Sequence, residues 1–424
     1  MKERGLGPLQ SGGKVVVIGG GPGGAATAIA LKQSGRALGR QVRVVVVEEK
    51  HFAGEQHYNQ CAGVLSPPIA ELVERDLGIP FPYHLAQRSI TGYVLHTARR
   101  QIVLDGDTEP SLALRRVQFD AYMLDIAQQH GVEVQSARVT DLEFHADEVI
   151  VYTSSLPLQA DVVVGAFGMD EGAAALFSRT VNYRPPATLS SIVTKYHPGE
   201  EGMAAFGDRI HAFLPPTPHI EFAAVTPKGN HLTINAAGAT IDIELVRAFL
   251  SAPYVQSILP RIAEAGSLHL KDLHYFKGHF PRGLAHNFTG ERFVMVGDAA
   301  GLVRAFKGKG VTSAIQTGTR AAQTILCQGI SASAFQAYRT ANRDITEDLP
   351  YGRAMRILTI LASKLGLMDI ALLAAARDPG LRQALFDAVS AHRSYQQVIR
   401  NGLTLASLRA LTGALAQVIR SKER

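Results

Sequence analysis

Residues 14–24 read KVVVIGGGPGG and constrain this chain more than any other feature. Residues 14–18 are a short β-branched run of the kind that forms a buried strand. Gly19, Gly21 and Gly24 then complete GxGxxG, with Pro22 and Gly23 inside the motif, and residues 25–31 continue as helix-forming sequence. Glycines at a strand-to-helix turn present an amide-rich helix N-terminus that can receive a pyrophosphate. Gly19 permits the tight turn, Gly21 lets phosphate approach the backbone, and Gly24 lets helix and strand pack closely. By itself the loop suits NAD and FAD equally.

The second strand of such a unit is expected at 42–47, with 34–40 lengthening the loop before it. It ends in Glu48-Glu49, where a Rossmann unit places its ribose-binding acid; Glu48 is the first choice and Glu49 the second. Next, HYNQCAGVLSPPI sets Cys61, Ala62, Gly63 and Ser66 in a small-residue loop before a helix at 69–77. Such a loop lets a flat ring approach the backbone, although Cys61 reads equally well as an inert buried thiol. A strand pair at 91–96 and 100–104 precedes a helix at 117–130, and Arg116 stands just before that helix, free to reach a cofactor phosphate or ribose.

A chain of 424 residues, 46% hydrophobic, can bury two lobes. From 184 to 276 its character is β-rich, with strands expected at 190–195, 220–225 and 231–236 and a helix at 242–250. Together with 90–104 this reads as a second lobe on a largely antiparallel sheet. The nucleotide lobe resumes with RFVMVGDAAGLVRAFKGKGVTSAIQTG: a strand at 293–296, then Gly297-Asp298, then a long helix opening at 308–318. This second glycine-rich arm is one a single-cofactor NAD dehydrogenase has no need of, and Asp298 is placed to accept hydrogen bonds from ribitol or ribose hydroxyls. The fold class is therefore α/β, with a Rossmann-type FAD-binding lobe (1–89, 105–183 and 277–346), an antiparallel substrate lobe (90–104 and 184–276) and a helical C-terminal region (347–424).

The charge of +6 and pI near 9.3 come without an aromatic-interleaved basic stripe, so no nucleic-acid partner is expected. Two cysteines, Cys61 and Cys327, supply neither an iron–sulfur cluster nor a disulfide framework, and residues 1–13 lack an apolar signal core; a cytoplasmic setting is expected. His269, His274 and His279 recur every five residues, which suits no single helix or strand face, and no metal site is expected. In the C-terminal region Leu358, Leu361, Leu365, Met368 and Leu372, and again Leu408, Leu411, Leu415 and Val418, follow helical spacing and are expected to pack on the two lobes. Arg356, Lys364 and Asp369 interrupt the first run, which excludes a membrane span, while the basic end (Arg400, Arg409, Arg420, Lys422, Arg424) leaves a peripheral membrane contact open.

Taken together, GGGPGG at 19–24, EEKHF at 48–52, QCAGVLSP at 60–67, RRVQFD at 115–120 and GDAAGLVRAFKGKGV at 297–311 resemble the FAD-dependent oxidoreductases of the hydroxylase-like superfamily, and most of all the geranylgeranyl reductase family. The resemblance runs over about residues 14–318. It implies FAD as cofactor, with contacts from Gly19, Gly21, Pro22, Gly23, Gly24, Glu48, Glu49, Cys61, Ala62, Arg116, Gly168, Gly297, Asp298, Gly308, Lys309, Gly310 and Val311. Gly308 and Gly310 would face the isoalloxazine, and Cys61 and Gly63 would border the active cavity. Lys307 and Lys309 would meet a substrate phosphate or flavin N1. The family saturates isoprenoid double bonds, which implies a large apolar substrate and NAD(P)H or a protein as electron donor.

Three departures stand out. Phe167 replaces an acid within Ala166-Phe167-Gly168, Ala305 stands where a proline is usual, and residues 221–229 (EFAAVTPKG) lack the tryptophan that a flavin halogenase signature needs. The first reading is a reductase of carbon–carbon double bonds. The alternatives are an FAD monooxygenase acting on an aromatic or polyene substrate, and a flavin- and lipid-binding electron carrier to quinone.

Overall fold

The structure, a computed structural model, describes residues 5–52, 61–106, 109–260, 270–303 and 310–422. The glycine-loop strand Lys14–Ile18 lies inside a six-stranded sheet, flanked in parallel by Arg43–Val47 on one side and Val162–Gly165 on the other. Glu133–Gln135 extends it beyond Arg43–Val47, and Phe293–Met295 beyond Val162–Gly165, again in parallel, with the short Thr289–Gly290 antiparallel at the edge. Both faces of this sheet are covered, so its valines are fully buried and read as continuous apolar runs rather than alternations.

The first helix, Pro22–Ala37, starts with proline at its first turn, where the absent N–H is no loss. It runs farther than the expected loop at 34–40 allowed, because Gly35 fits against Val42 and Arg40 without a side chain to displace them. The expected helices at 69–77, 117–130 and 242–250 appear as Ile69–Leu77, Arg116–Gln129 and Ile243–Leu250, the last capped by the Asp242 carboxylate on Leu245 N–H at 2.8 Å. Strands Val139–Phe144, Val149–Thr153 and Leu158–Ala160 form a small antiparallel sheet of their own rather than extending the nucleotide sheet.

The second lobe is a seven-stranded sheet in the order Tyr275–Pro281, Thr188–Tyr196, His231–Gly238, Phe222–Lys228, Arg209–Phe213, Gly92–His96, Gln101–Asp105. Every pairing is antiparallel except Arg209–Phe213 with Gly92–His96. The sheet continues to Pro281, past the boundary expected at 276. A three-stranded sheet, Val64–Leu65, Ser111–Leu114 and Ala86–Ile90, carries the segment that follows Cys61 between the lobes.

The C-terminal region packs on the second lobe through Met368, Leu372, Ala375 and Phe386, which join Tyr93, Leu95 and Ile210 in one apolar cluster, whereas its helix Leu349–Lys364 docks through polar groups. Arg356, on helix Leu349–Lys364, forms a buried ion pair with Glu221, and Ser363 Oγ donates to the Leu214 and Pro215 carbonyls at 3.2 and 3.0 Å. Met368 and Leu372 are buried as expected, but Leu358, Leu361 and Leu365 face solvent, as do Leu408 and Leu415. The helix gives its docking side to Gly352, Arg356 and Ser363, which leaves the leucine stripe at the surface of the described residues.

Candidate functional site

Two glycine arms far apart in sequence meet because two helices approach closely. A β-carbon on Gly318, in helix Gly310–Cys327, would stand 2.6 Å from the Gly23 carbonyl oxygen and 2.7 Å from Thr27 Oγ1. Only glycine lets the late helix lie against the first one, and that contact sets Gly297-Asp298 beside the Gly19–Gly24 loop. Within the loop the three motif glycines differ. Gly19 has φ +106°, and a β-carbon there would reach 2.5 Å from the Ala166 carbonyl; one on Gly24 would stand 1.9 Å from the Gly19 carbonyl. One on Gly21 would meet nothing within 4 Å. Two glycines are thus required by the fold itself, and the third faces a cradle that a methyl group would fill.

Glu48 closes this cradle. Its Oε2 accepts from Gly20 N–H at 2.7 Å and its Oε1 from Lys50 N–H at 2.8 Å, which fixes the carboxylate at the end of the second strand while leaving lone pairs for a ribose diol. Glu49 is exposed, with its carboxylate 3.7 Å from Arg138. Pro22 and Gly23 are buried in the first turn of the helix.

Asp298 is half-buried beside Gly310, whose added β-carbon would lie 3.4 Å from Oδ1. Burial raises its carboxyl above the ordinary range, and the nearby Arg116 guanidinium opposes the rise. Arg116 itself is not free, as its sequence position had suggested. It is the first residue of its helix and grips Asp120, one turn on, through Nε at 3.0 Å and Nη2 at 2.9 and 3.1 Å, with both side chains nearly inaccessible. From there it acts on Cys61 and Asp298 as a fixed positive charge. Phe167, in place of an acid, stacks on Phe177 at 5.5 Å, while Gly168 (φ +61°) looks into open space. Val311 is partly buried against the core of the nucleotide lobe. Lys307, Gly308 and Lys309 lie outside the described residues, as do Ala305 and His269.

The cysteine loop supplies the junction between the lobes. Cys61 is exposed, so the inert buried thiol is excluded; its Sγ accepts from Gly63 N–H at 3.3 Å, and Ala62 is half-buried. Gly63 has φ +68° and its carbonyl accepts from Leu114 N–H at 2.9 Å, directly before Arg115 and Arg116. Against this loop lies Lys228, the last residue of strand Phe222–Lys228, with Nζ only 2.6 Å from where a Gly63 β-carbon would stand.

Lys228 went unnoticed in the sequence. It is 4% exposed and makes no ion pair among the described residues. Burial lowers its ammonium to about 8, with Cys61 pulling upward and Lys195, Arg116 and Arg115 pushing down. Lys195, two strands away in the same sheet, is lowered by burial and by Arg115. The only signal in the sequence is a lysine ending an apolar strand just before a Gly-Asn turn, which by itself reads as a strand-end cation in solvent.

The residues fit FAD. The open cradle at Gly21, the tethered carboxylate of Glu48 and the second arm at Asp298 offer successive places for pyrophosphate, adenosine ribose and ribityl hydroxyls.

No family model matches the chain. It is 23% identical over 337 residues to the chloroplastic geranylgeranyl diphosphate reductase of Nicotiana tabacum, covering 74% of this chain and 66% of that one. An uncharacterised protein of Methanosarcina barkeri is likewise 23% identical, over 323 residues, covering 73% and 74%. Among solved structures, a flavoprotein/dehydrogenase from Cytophaga hutchinsonii superposes with a TM-score of 0.67 at 16% identity, covering 97% and 99%. A geranylgeranyl bacteriochlorophyll reductase-like protein from Thermoplasma acidophilum gives 0.60 at 18%, covering 95% and 96%. Flavin-dependent halogenases share the fold as well. The chain accordingly has the fold of the FAD-dependent flavoproteins that include the geranylgeranyl-reductase-like proteins.

Proposed function

We propose that this chain is an FAD-dependent reductase that adds two hydrogens across a carbon–carbon double bond of a large apolar substrate. Bound FAD, reduced by NAD(P)H or a protein donor, supplies a hydride to one alkene carbon. The chain's own part is to hold the cofactor by the Gly19–Gly24 cradle, Glu48 and Asp298, and to deliver a proton to the other carbon. The observation that carries this reading is Lys228, a buried ammonium against the cysteine loop that has no carboxylate paired with it among the described residues. An acid with a value near 8 remains protonated at neutral pH yet gives its proton up readily, as a general acid at a reacting carbon needs. Proton transfer leaves Lys228 as a neutral amine, which regains its proton from water. Asp120 fixes the Arg116 guanidinium within electrostatic reach of Cys61 and Asp298, under the same loop.

The test is anaerobic mixing of the reduced holoprotein with prenyl alkenes, followed by flavin absorbance. Reoxidation by an alkene without oxygen supports the reading. Reoxidation only with oxygen, consumed in step with substrate-dependent NAD(P)H oxidation, replaces it with a monooxygenase. Reoxidation by quinone and by no alkene replaces it with an electron carrier.

A further inference from the structure

We propose that the helices Leu349–Lys364 and Leu405–Lys422 form a docking surface for an anionic lipid bilayer, on which the protein rests without crossing it. This inference stands on the C-terminal helices and does not depend on the reaction assigned to the site.

The first observation is that both helices are amphipathic the wrong way round for a soluble core. On Leu349–Lys364 the groups turned to the protein are Gly352, Arg356 and Ser363, through the Glu221 ion pair and the hydrogen bonds to Leu214 and Pro215. The opposite stripe carries Leu358, Leu361 and, just past the helix, Leu365, which are 60%, 49% and 70% exposed. On Leu405–Lys422 the inward side carries Ser407 and Ala414 with the half-buried Leu411 and Val418, while Leu408, Leu415 and Ile419 are 49%, 42% and 50% exposed, at spacings of seven and four that keep them in one line. Burying leucine normally offsets the entropy of ordering it, so a helix that spends its polar groups on the protein and leaves its leucines in water is suited to an apolar phase outside the chain.

Charge selects the occupant. Between residues 349 and 422 eight arginines and two lysines face three aspartates. All three aspartates are engaged within the protein: Asp369 with Thr97, Asp378 as the cap of Pro379–Ser390, and Asp387 with Arg393. Arg409 and Arg420 flank the leucine line of the last helix and Lys364 that of the first. A second copy of the chain would bring the same positive charge against it, whereas an anionic headgroup layer is complementary. Among the described residues no single helix is long and apolar enough to cross a membrane; Arg343–Lys364 with Leu367–Ala375 and Tyr395–Gly402 with Leu405–Arg420 reach that length only as pairs bent by 106° and 68°, and separate helices of this length with an apolar stripe and basic flanks lie along an interface.

The test is flotation of the full chain with vesicles of phosphatidylcholine alone and of phosphatidylcholine with 30–40% phosphatidylglycerol (roughly the range in which polybasic surfaces respond). Binding is expected to the anionic vesicles, to weaken at least about tenfold on going to neutral ones, and to fall with salt. The triple variant L358Q/L361Q/L365Q, at exposed positions, should keep its thermal midpoint and flavin content and lose vesicle binding; R409E/R420E should lose the preference for anionic lipid. Absence of binding to either vesicle, equal binding to both, or a concentration-dependent dimer that the triple variant abolishes would overturn the proposal.

Discussion

Lys228 Nζ lies 2.6 Å from the position a β-carbon on Gly63 would take, so the buried ammonium rests directly against the cysteine loop. If Lys228 is the proton donor, Lys228→Met should slow alkene-dependent flavin reoxidation by about 10²- to 10⁴-fold while FAD content and reduction by the electron donor stay unchanged. Stopped-flow measurement of the two half-reactions separates these effects. A donor with a value near 8 also makes the alkene half-reaction fall as pH rises through 8, and that limb should vanish in Lys228→Met.

The glycines of the nucleotide loop are predicted to separate into two kinds. Gly24→Ala pushes a methyl group into the Gly19 carbonyl and should cost about 1–3 kcal/mol of stability, read as a lowered denaturation midpoint with or without cofactor. Gly21→Ala meets only open space, so the apoprotein midpoint should be unchanged while the Kd for FAD rises, measured by fluorescence titration.

Asp298→Ala should weaken FAD binding by roughly tenfold to a hundredfold, the worth of hydrogen bonds to a charged group of about 1.5–3 kcal/mol. Unchanged FAD occupancy in this variant would remove Asp298 from the cofactor site.

His96 and His211 stack in the substrate sheet with ring nitrogens 3.0 Å apart, against Phe213 and Phe206. Burial first, and then His211, lowers His96 to about 3; burial and then Arg209 lower His211 to about 4. In the unfolded chain both rings take up protons near pH 6.5, whereas the folded rings do not until about 4 and 3. Stability is therefore complete above about 6.5 and falls as pH drops through the window from 6.5 to 3, by on the order of 3 kcal/mol per ring. Denaturant titrations between pH 7 and 4 should show this slope, and His96→Phe/His211→Phe should flatten it.

Local signals carried much of this fold. The strand and glycine turn at residues 14–24 and the helix that starts there are set by their own sequence, as are the antiparallel strands with their turns, whereas the helix end at Ala37 depends on Gly35 meeting Val42 and Arg40. Other features depend on what the chain meets after folding. Arg116 and Asp120 have the spacing of a helical ion pair, but starting the helix one residue late left the arginine outside it. The leucine periodicity at 358–365 defines a stripe and not the side it faces; that is decided by Glu221, far away, drawing Arg356 inward. Nothing near Lys228 announces burial, because it arises from the approach of the Gly63 loop in another lobe.

The central claim is tested most directly by the product. Reduced wild-type protein, incubated anaerobically with prenyl diphosphates and prenyl lipids, should convert one of them to a species heavier by two hydrogens in the mass spectrum, and Lys228→Met should yield little of it at equal flavin content. A product that gains one oxygen instead, formed only in air, would contradict the account.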